Sequence, residues 1–269
     1  MKVWATSDLH IDYDENKKWF YQLSPIQYLD DFLIIAGDIS DDLLETESLF
    51  QQLSTKFKKV FFLPGNHDLW IHQSDALDSF EKFRKVLDLA SKCGIETEVF
   101  DNPEVRIIPL YSWYDFSFGH PSKLIARAWK DFRKCDWGSW GLEAVTTFFH
   151  QYNQPLLPAS KVPTISFSHF LPFTSMFPSD IPDFVRALFP VFGSKSLWQQ
   201  IKEIKPDIHI YGHSHLNRSF QKEGICFLNN AYGYPKEKHI CRKRLICIFE
   251  AGSVHKDIPQ WPQNRPEKN

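Results

Sequence analysis

At 269 residues, with 43% hydrophobic and 24% charged positions, the chain is large enough for a substantial core and reads as globular. A formal net charge of −2 argues against the broad basic field that extended nucleic acid or an anionic membrane would require. No apolar run reaches the ~20 residues of a membrane span, the first expected strand starts at residue 2 and leaves no room for a leader, and five scattered cysteines lack C-x-x-C spacing, so a cytoplasmic protein with reduced thiols is expected.

In chain order, Lys2–Thr6 reads as a strand that runs into Ser7, Asp8, Leu9 and His10. A polar, aromatic loop over 11–24 and a short helix at Pro25–Leu29 precede a second strand, Phe32–Ala36, which stops at Gly37-Asp38. Asp42, with Glu45 three residues on, opens a helix carrying Leu43, Leu49, Phe50, Leu53 and Phe57 on one face. The third strand, Lys59–Leu63, ends abruptly at Pro64-Gly65-Asn66-His67-Asp68. Residues 75–93 read as another helix, with Leu77, Phe80, Phe83, Leu87 and Ala90 inward and Gly94 as its stop. Strand and helix in alternation, with polar groups at the carboxyl ends of the strands, is the α/β pattern; ligands bind outside those ends.

A strand over Val105–Leu110, hairpinned with Glu98–Phe100, follows. Residues 111–140 break the rhythm with a dense aromatic and basic stretch. A helix over Glu143–Gln151 leads to strand Thr164–Phe167 and to Ser168-His169. An irregular, proline-punctuated stretch over 170–193 and a helix over Ser194–Lys205 precede strand Asp207–Tyr211, which delivers Gly212-His213-Ser214-His215. Strands near Ile225–Leu228 and Arg244–Phe249 have no helix between them, so the sheet turns mixed or a second sheet packs on the first. Residues 255–269 hold three prolines and read as a frayed polar tail behind one domain over 1–254.

Five apolar runs thus each end in Asp, Asn or His, and strand ends of one domain converge in space. The converging set is two Asp, one Asn and four His without Cys, a donor chemistry suited to Mn, Fe, Zn or Ni. It exceeds the needs of one ion, whereas a pair ~3.5–4 Å apart would use it all. Two divalent ions against Asp8, Asp38 and one hydroxide leave about one net positive charge for a phosphate anion.

The ordered set Asp8-x-His10, Gly37-Asp38, Gly65-Asn66-His67-Asp68, His169 and Gly212-His213-x-His215 resembles the calcineurin-like metallophosphoesterase superfamily. The resemblance spans residues 3–215 and implies a four-layer αββα sandwich. It also implies one ion on Asp8, His10, Asp38 and His215, and a second on Asp38, Asn66, His169 and His213, with Asp38 bridging. A hydroxide between the ions would attack phosphorus, while His67 protonates the leaving group or stabilises its charge. In the protein phosphatase branch a second acid orients that histidine and an arginine grips phosphate. Asp41 fits the former, but Asp42 stands in the arginine's place. Bacterial lipid-A precursor hydrolases carry Arg where His67 stands.

The resemblance therefore implies a phosphodiesterase acting on a small, nucleotide-like substrate, with phosphomonoesterase, nuclease and metal-binding docking scaffold as alternatives. Substrate contacts are expected in the 111–140 cap, from Trp113, Tyr114, Arg127 and Arg133; the alternative is that its aromatics merely pack beneath a solvated basic edge. Gly233-Tyr234-Pro235 is read as a turn on the rim.

Overall fold

The structure, a computed structural model, describes residues 1–72, 77–153, 161–256 and 258. The first βαβ segment is β1 (Lys2–Thr6), α1 (Asp14–Tyr21) and β2 (Phe32–Ala36); α2 (Leu43–Ser54), β3 (Lys59–Leu63) and α3 (Ser79–Lys92) continue it. Then come β4 (Phe100–Asp101), β5 (Arg106–Pro109), α4 (Lys123–Ala128), α5 (Asp131–Lys134), α6 (Leu142–Tyr152), β6 (Thr164–Phe167) and α7 (Asp183–Arg186). The chain closes with α8 (Lys195–Ile204), β7 (Ile208–Tyr211), β8 (Arg218–Lys222), β9 (Ile225–Asn229), β10 (Ile246–Glu250) and β11 (Ser253–Val254).

Two mixed sheets result, ordered β11-β10-β1-β2-β3 and β4-β5-β6-β7-β9-β8. In the first, β1, β2 and β3 are parallel, and β10 runs antiparallel to β1. In the second, β5, β6, β7 and β9 are parallel, with β4 and β8 as antiparallel edges. The unbroken burial of β2 is what a parallel strand covered on both faces requires. Alternation then sorts its side chains. Phe32, Ile34 and Ala36 join Val3, Ala5 and Phe61 against Ile165, Phe167, Ile208 and Ile210 of the other sheet. Leu33 and Ile35 face outward, beneath Leu49, Phe50 and Leu53 of α2 and Phe20 of α1. On the far side, Ile108, Tyr211 and Phe227 pack against Leu197, Ile201 and Ile204 of α8. Helix, sheet, sheet, helix is the layering that the resemblance implied.

Local chemistry accounts for the boundaries. The Asp42 carboxylate accepts from the Leu44 and Glu45 amides and caps α2. Asp78 caps α3 through the Glu81 amide, and Glu81 returns a carboxylate to the Leu77 amide.

Several expectations move. The early helix is α1 rather than Pro25–Leu29, where the chain only turns. Trp19 and Phe20 are why: both rings pack against Tyr232, giving α1 a buried side in what reads as a polar loop. The expected helix start at 75 lies outside the described residues, and Leu77 is 89% exposed, not inward. Strand β8 was not expected, because its polar edge sequence carries no alternation signal. Most of the tail lies outside the described residues. Ile258, however, is buried in the inter-sheet core, and its carbonyl accepts from Ser219.

Candidate metal centre

Asp8 and His10 follow β1, Asp38 follows β2, Asn66 and His67 follow β3, His169 follows β6, and His213 and His215 follow β7. Two groups of ligand atoms form, each within 4.8 Å of its own members: Asp8, His10, Asp38 and His215, and Asp38, His169 and His213. Asp38 belongs to both, and Asn66 adds to the second, its Oδ1 3.0 Å from His169 Nε2.

The backbone is bent to bring these groups in. Asp8, His10, Asp38, His213 and His215 all have φ between 45° and 66°, the left-handed region that a side chain makes costly by about 1–2 kcal/mol each. The surroundings overdetermine it. The Asp8 amide donates to the Gly37 carbonyl, the His10 amide to the Asp38 carbonyl, and the His213 amide to the Asp8 carboxylate. Asp68 accepts from the amides of Asp38, Ile39, Ser40 and Gly65 and so shapes two motif turns at once. A Cβ on Gly65 would stand 2.2 Å from Asp38 Oδ1 and 2.6 Å from His169 Cε1. Glycine is required there by the closeness of the ligands themselves.

The protons identify what the pocket is made for. His169 Nδ1 donates to the Ala36 carbonyl (2.9 Å) and His213 Nε2 to the Val191 carbonyl (3.0 Å). Burial lowers both pKa values, so both rings are neutral and their remaining nitrogens carry lone pairs. Those nitrogens face each other at 3.1 Å, beside the Asn66 oxygen. Three acceptors converging with no proton among them fit a cation. In the other half, His10 Nε2 and His215 Nε2 lie 3.1 Å apart, and His10 Nδ1 is buried without a partner among the described residues. Burial drives the Asp38 carboxyl well above its usual range, aggravated by Asp8 and Asp68; a divalent ion would relieve the conflict. The donor set fits two divalent ions.

A family model for calcineurin-like phosphoesterases matches residues 1–217. The chain belongs to that family. Among similar proteins, the [acyl-carrier-protein] phosphodiesterase PptH of Mycobacterium tuberculosis is 32% identical over 125 residues, which cover 43% of this chain and 38% of that protein's length. An uncharacterized protein of Acanthamoeba polyphaga mimivirus is 22% identical over 268 residues, 87% of this chain and 91% of the relative. In fold, the chain resembles the crystal structure of phosphopantetheinyl hydrolase PptH from M. tuberculosis, with a TM-score of 0.75 and 24% identity over 92% of this chain and 95% of that one. This calcineurin-like chain is a metallophosphoesterase, a hydrolase with His/Asp clusters for two divalent ions. Among the described residues, no helix is long and apolar enough to cross a membrane.

All seven ligand candidates and His67 meet at one place, but the expected partners do not. The Asp41 carboxylate pairs with His72 Nε2 at 3.0 Å rather than with His67. His67 is instead stacked on Trp70, with centroids 3.7 Å apart, and its Nε2 lies 3.5 Å from the Tyr234 hydroxyl. Trp113 and Tyr114 are 0% and 1% exposed and pack against Phe170; they form the floor of the cap and offer no face to a base. Arg127 and Arg133 are exposed on α4 and α5, and Arg133 donates to the Ala128 carbonyl of the cap itself. The high aromatic content finds its use here: Trp113, Trp137, Phe149, Phe83 and Tyr111 form a run of mostly edge-on contacts beneath the cap.

Three site residues were missed. Tyr234 stacks on His10 at 4.4 Å, which makes the expected rim turn a wall of the site. Glu237 accepts from His215 Nδ1 at 2.7 Å, and Asp131 from Asn66 Nδ2 at 2.9 Å. Tyr234 lay in a turn already singled out. Asp131 and Glu237 carry no local pattern that separates them from surface acids.

Proposed function

We propose that this metallophosphoesterase is a phosphodiesterase, and that its diester belongs to the phosphopantetheinyl class rather than to the nucleotides. The diester reading rests on Asp42. At the motif position where a monoesterase of the protein phosphatase branch holds phosphate with arginine, this chain has an anion committed to capping α2. Arg186 is engaged by the Ser179 carbonyl, and Arg218 lies against Phe220. At that motif position a monoester dianion would meet an anion in place of a bidentate arginine, whereas the single charge of a diester matches the excess charge of the centre.

Asp8, His10, Asp38 and His215 would hold one ion and Asp38, Asn66, His169 and His213 the other. When bound, such ions polarise a phosphoryl oxygen and bring the pKa of a water toward neutrality. Burial, then the neighbouring His215 and His169, pulls the His67 pKa down to about 3. His67 therefore acts at neutral pH as a neutral hydrogen-bond donor to the leaving oxygen, with Trp70 fixing the plane of its ring. Lys130, whose Nζ lies 5.4 Å from the Trp70 ring centre, puts a cation on the same side of the site.

The substrate class is supported by the activity named for the M. tuberculosis relative. It is also supported by the burial of Trp113 and Tyr114, which removes the expected base-stacking surface. The test pairs bis-p-nitrophenyl phosphate with p-nitrophenyl phosphate, then a phosphopantetheinylated carrier protein with a cyclic nucleotide. Higher kcat/KM for the diester and for the carrier protein is expected. A monoester preference overturns the first claim, and faster cleavage of the cyclic nucleotide overturns the second.

A further inference from the structure

The cap enters the metal centre at one acidic side chain. Asp131, 2% exposed at the start of α5, accepts from three donors: Asn66 Nδ2 at 2.9 Å, Trp70 Nε1 at 2.7 Å and Trp129 Nε1 at 2.7 Å. All three donors are neutral; burial pushes the Asp131 carboxyl above its usual range, the three hydrogen bonds oppose that rise, and no cation is paired with the carboxylate among its donors. Such an arrangement is costly unless positive charge lies close by.

Two consequences follow from elementary hydrogen-bond chemistry. An ionised carboxylate only accepts, so the amide of Asn66 must turn its NH₂ toward Asp131 and its oxygen the other way. That oxygen is the atom 3.0 Å from His169 Nε2, within the second ligand group. Secondly, a carboxylate behind the NH₂ draws electron density toward the amide oxygen and makes it a stronger donor to a metal.

The same carboxylate locates what flanks it. Trp129, held by its indole N–H, brings its ring to 5.8 Å from His213; Trp70, held likewise, stacks under His67. One cap residue thereby touches the supports of a ligand amide, a ligand imidazole and the histidine that is not a ligand.

We propose that Asp131 is a positioning residue that sets the orientation and donor strength of Asn66 and so the affinity of the second metal position. This inference rests on the two-ion centre but not on the choice of substrate. It is read by metal binding without turnover, so a wrong substrate leaves it intact.

The experiment is a calorimetric Mn²⁺ titration of metal-stripped protein, wild type against Asp131→Asn, with tryptophan fluorescence recorded in parallel. An asparagine would face the same donors with an NH₂ of its own or with a weaker acceptor. The expected result is two binding steps, of which one keeps its affinity and the other weakens ~10–100-fold, the usual cost of losing such a support. Activity should then recover at high Mn²⁺. Unchanged affinity in both steps, or equal weakening of both, would overturn the proposal, because a cap that served only packing would not single out one ion. If Asp131→Asn fails to fold, Trp129→Phe removes one donor and keeps the carboxylate. It should weaken the same single step by a few-fold, and two wild-type steps in that variant would also overturn the proposal.

Discussion

The two halves of the metal centre share Asp38 and little else. In the half formed with Asn66, His169 and His213, the outer ring nitrogens donate to backbone carbonyls and the inner atoms are bare acceptors. In the half formed with Asp8, His10 and His215, the outer nitrogen of His215 donates to the Glu237 carboxylate, and its inner nitrogen lies 3.2 Å from Asp8. Burial alone would lower the His215 pKa. The two carboxylates that bracket the ring outweigh it and push the value up to about 10. One half is therefore ready for an ion, while the other holds a proton that an ion must displace. Histidines of one motif, two residues apart, are prepared in opposite ways by what stands behind them.

The largest effect should come from the residue the halves share. Asp38→Asn removes the common carboxylate, so both ions should bind weakly and kcat/KM should fall by ~10³-fold or more. Elemental analysis with two ions retained and wild-type turnover would break the assignment.

Proton competition should separate the halves next. Below about 10 His215 is protonated in the ion-free protein. Lowering the pH from 8 to 6.5 should thus weaken one Mn²⁺ step by ~10-fold per unit. The other step should change less, since His169 and His213 are depressed below 6.5 and stay neutral across that window, which leaves the shared Asp38 carboxyl, itself raised by burial, as its one competing proton site among these ligands. Titrations in which both steps shift together would remove the distinction.

A smaller effect, ~10–100-fold on one ion, is expected from Glu237→Gln. Because the raised His215 pKa depends partly on Glu237, this variant should also flatten the pH dependence of its step. A steep, unaltered dependence would assign the proton elsewhere.

The sequence was most legible where the chain obeys a local rule. Each ligand follows an apolar run that could only be a buried strand, so both the layers and the convergence were readable from Phe32–Ala36 or Ile208–Tyr211. It was least legible where chemistry depends on distant packing. Trp113 and Tyr114 looked like a binding face because aromatic residues read alike whether they line a core or a cleft. Only the meeting with Trp137, Phe149 and Phe170 decides for the core. Asp41 was assigned by its motif position, yet the turn after Asp38 points it to His72. Asp131 and Glu237 are 65 and 22 residues away from the ligands they support, and no periodicity spans such gaps.

Anomalous diffraction from crystals of the Mn²⁺-loaded protein tests the central claim most directly. Two peaks ~3.5–4 Å apart are predicted, both touching the Asp38 carboxylate, one bounded by Asp8, His10 and His215 and the other by Asn66, His169 and His213. A single peak, or two that do not share Asp38, would contradict the account.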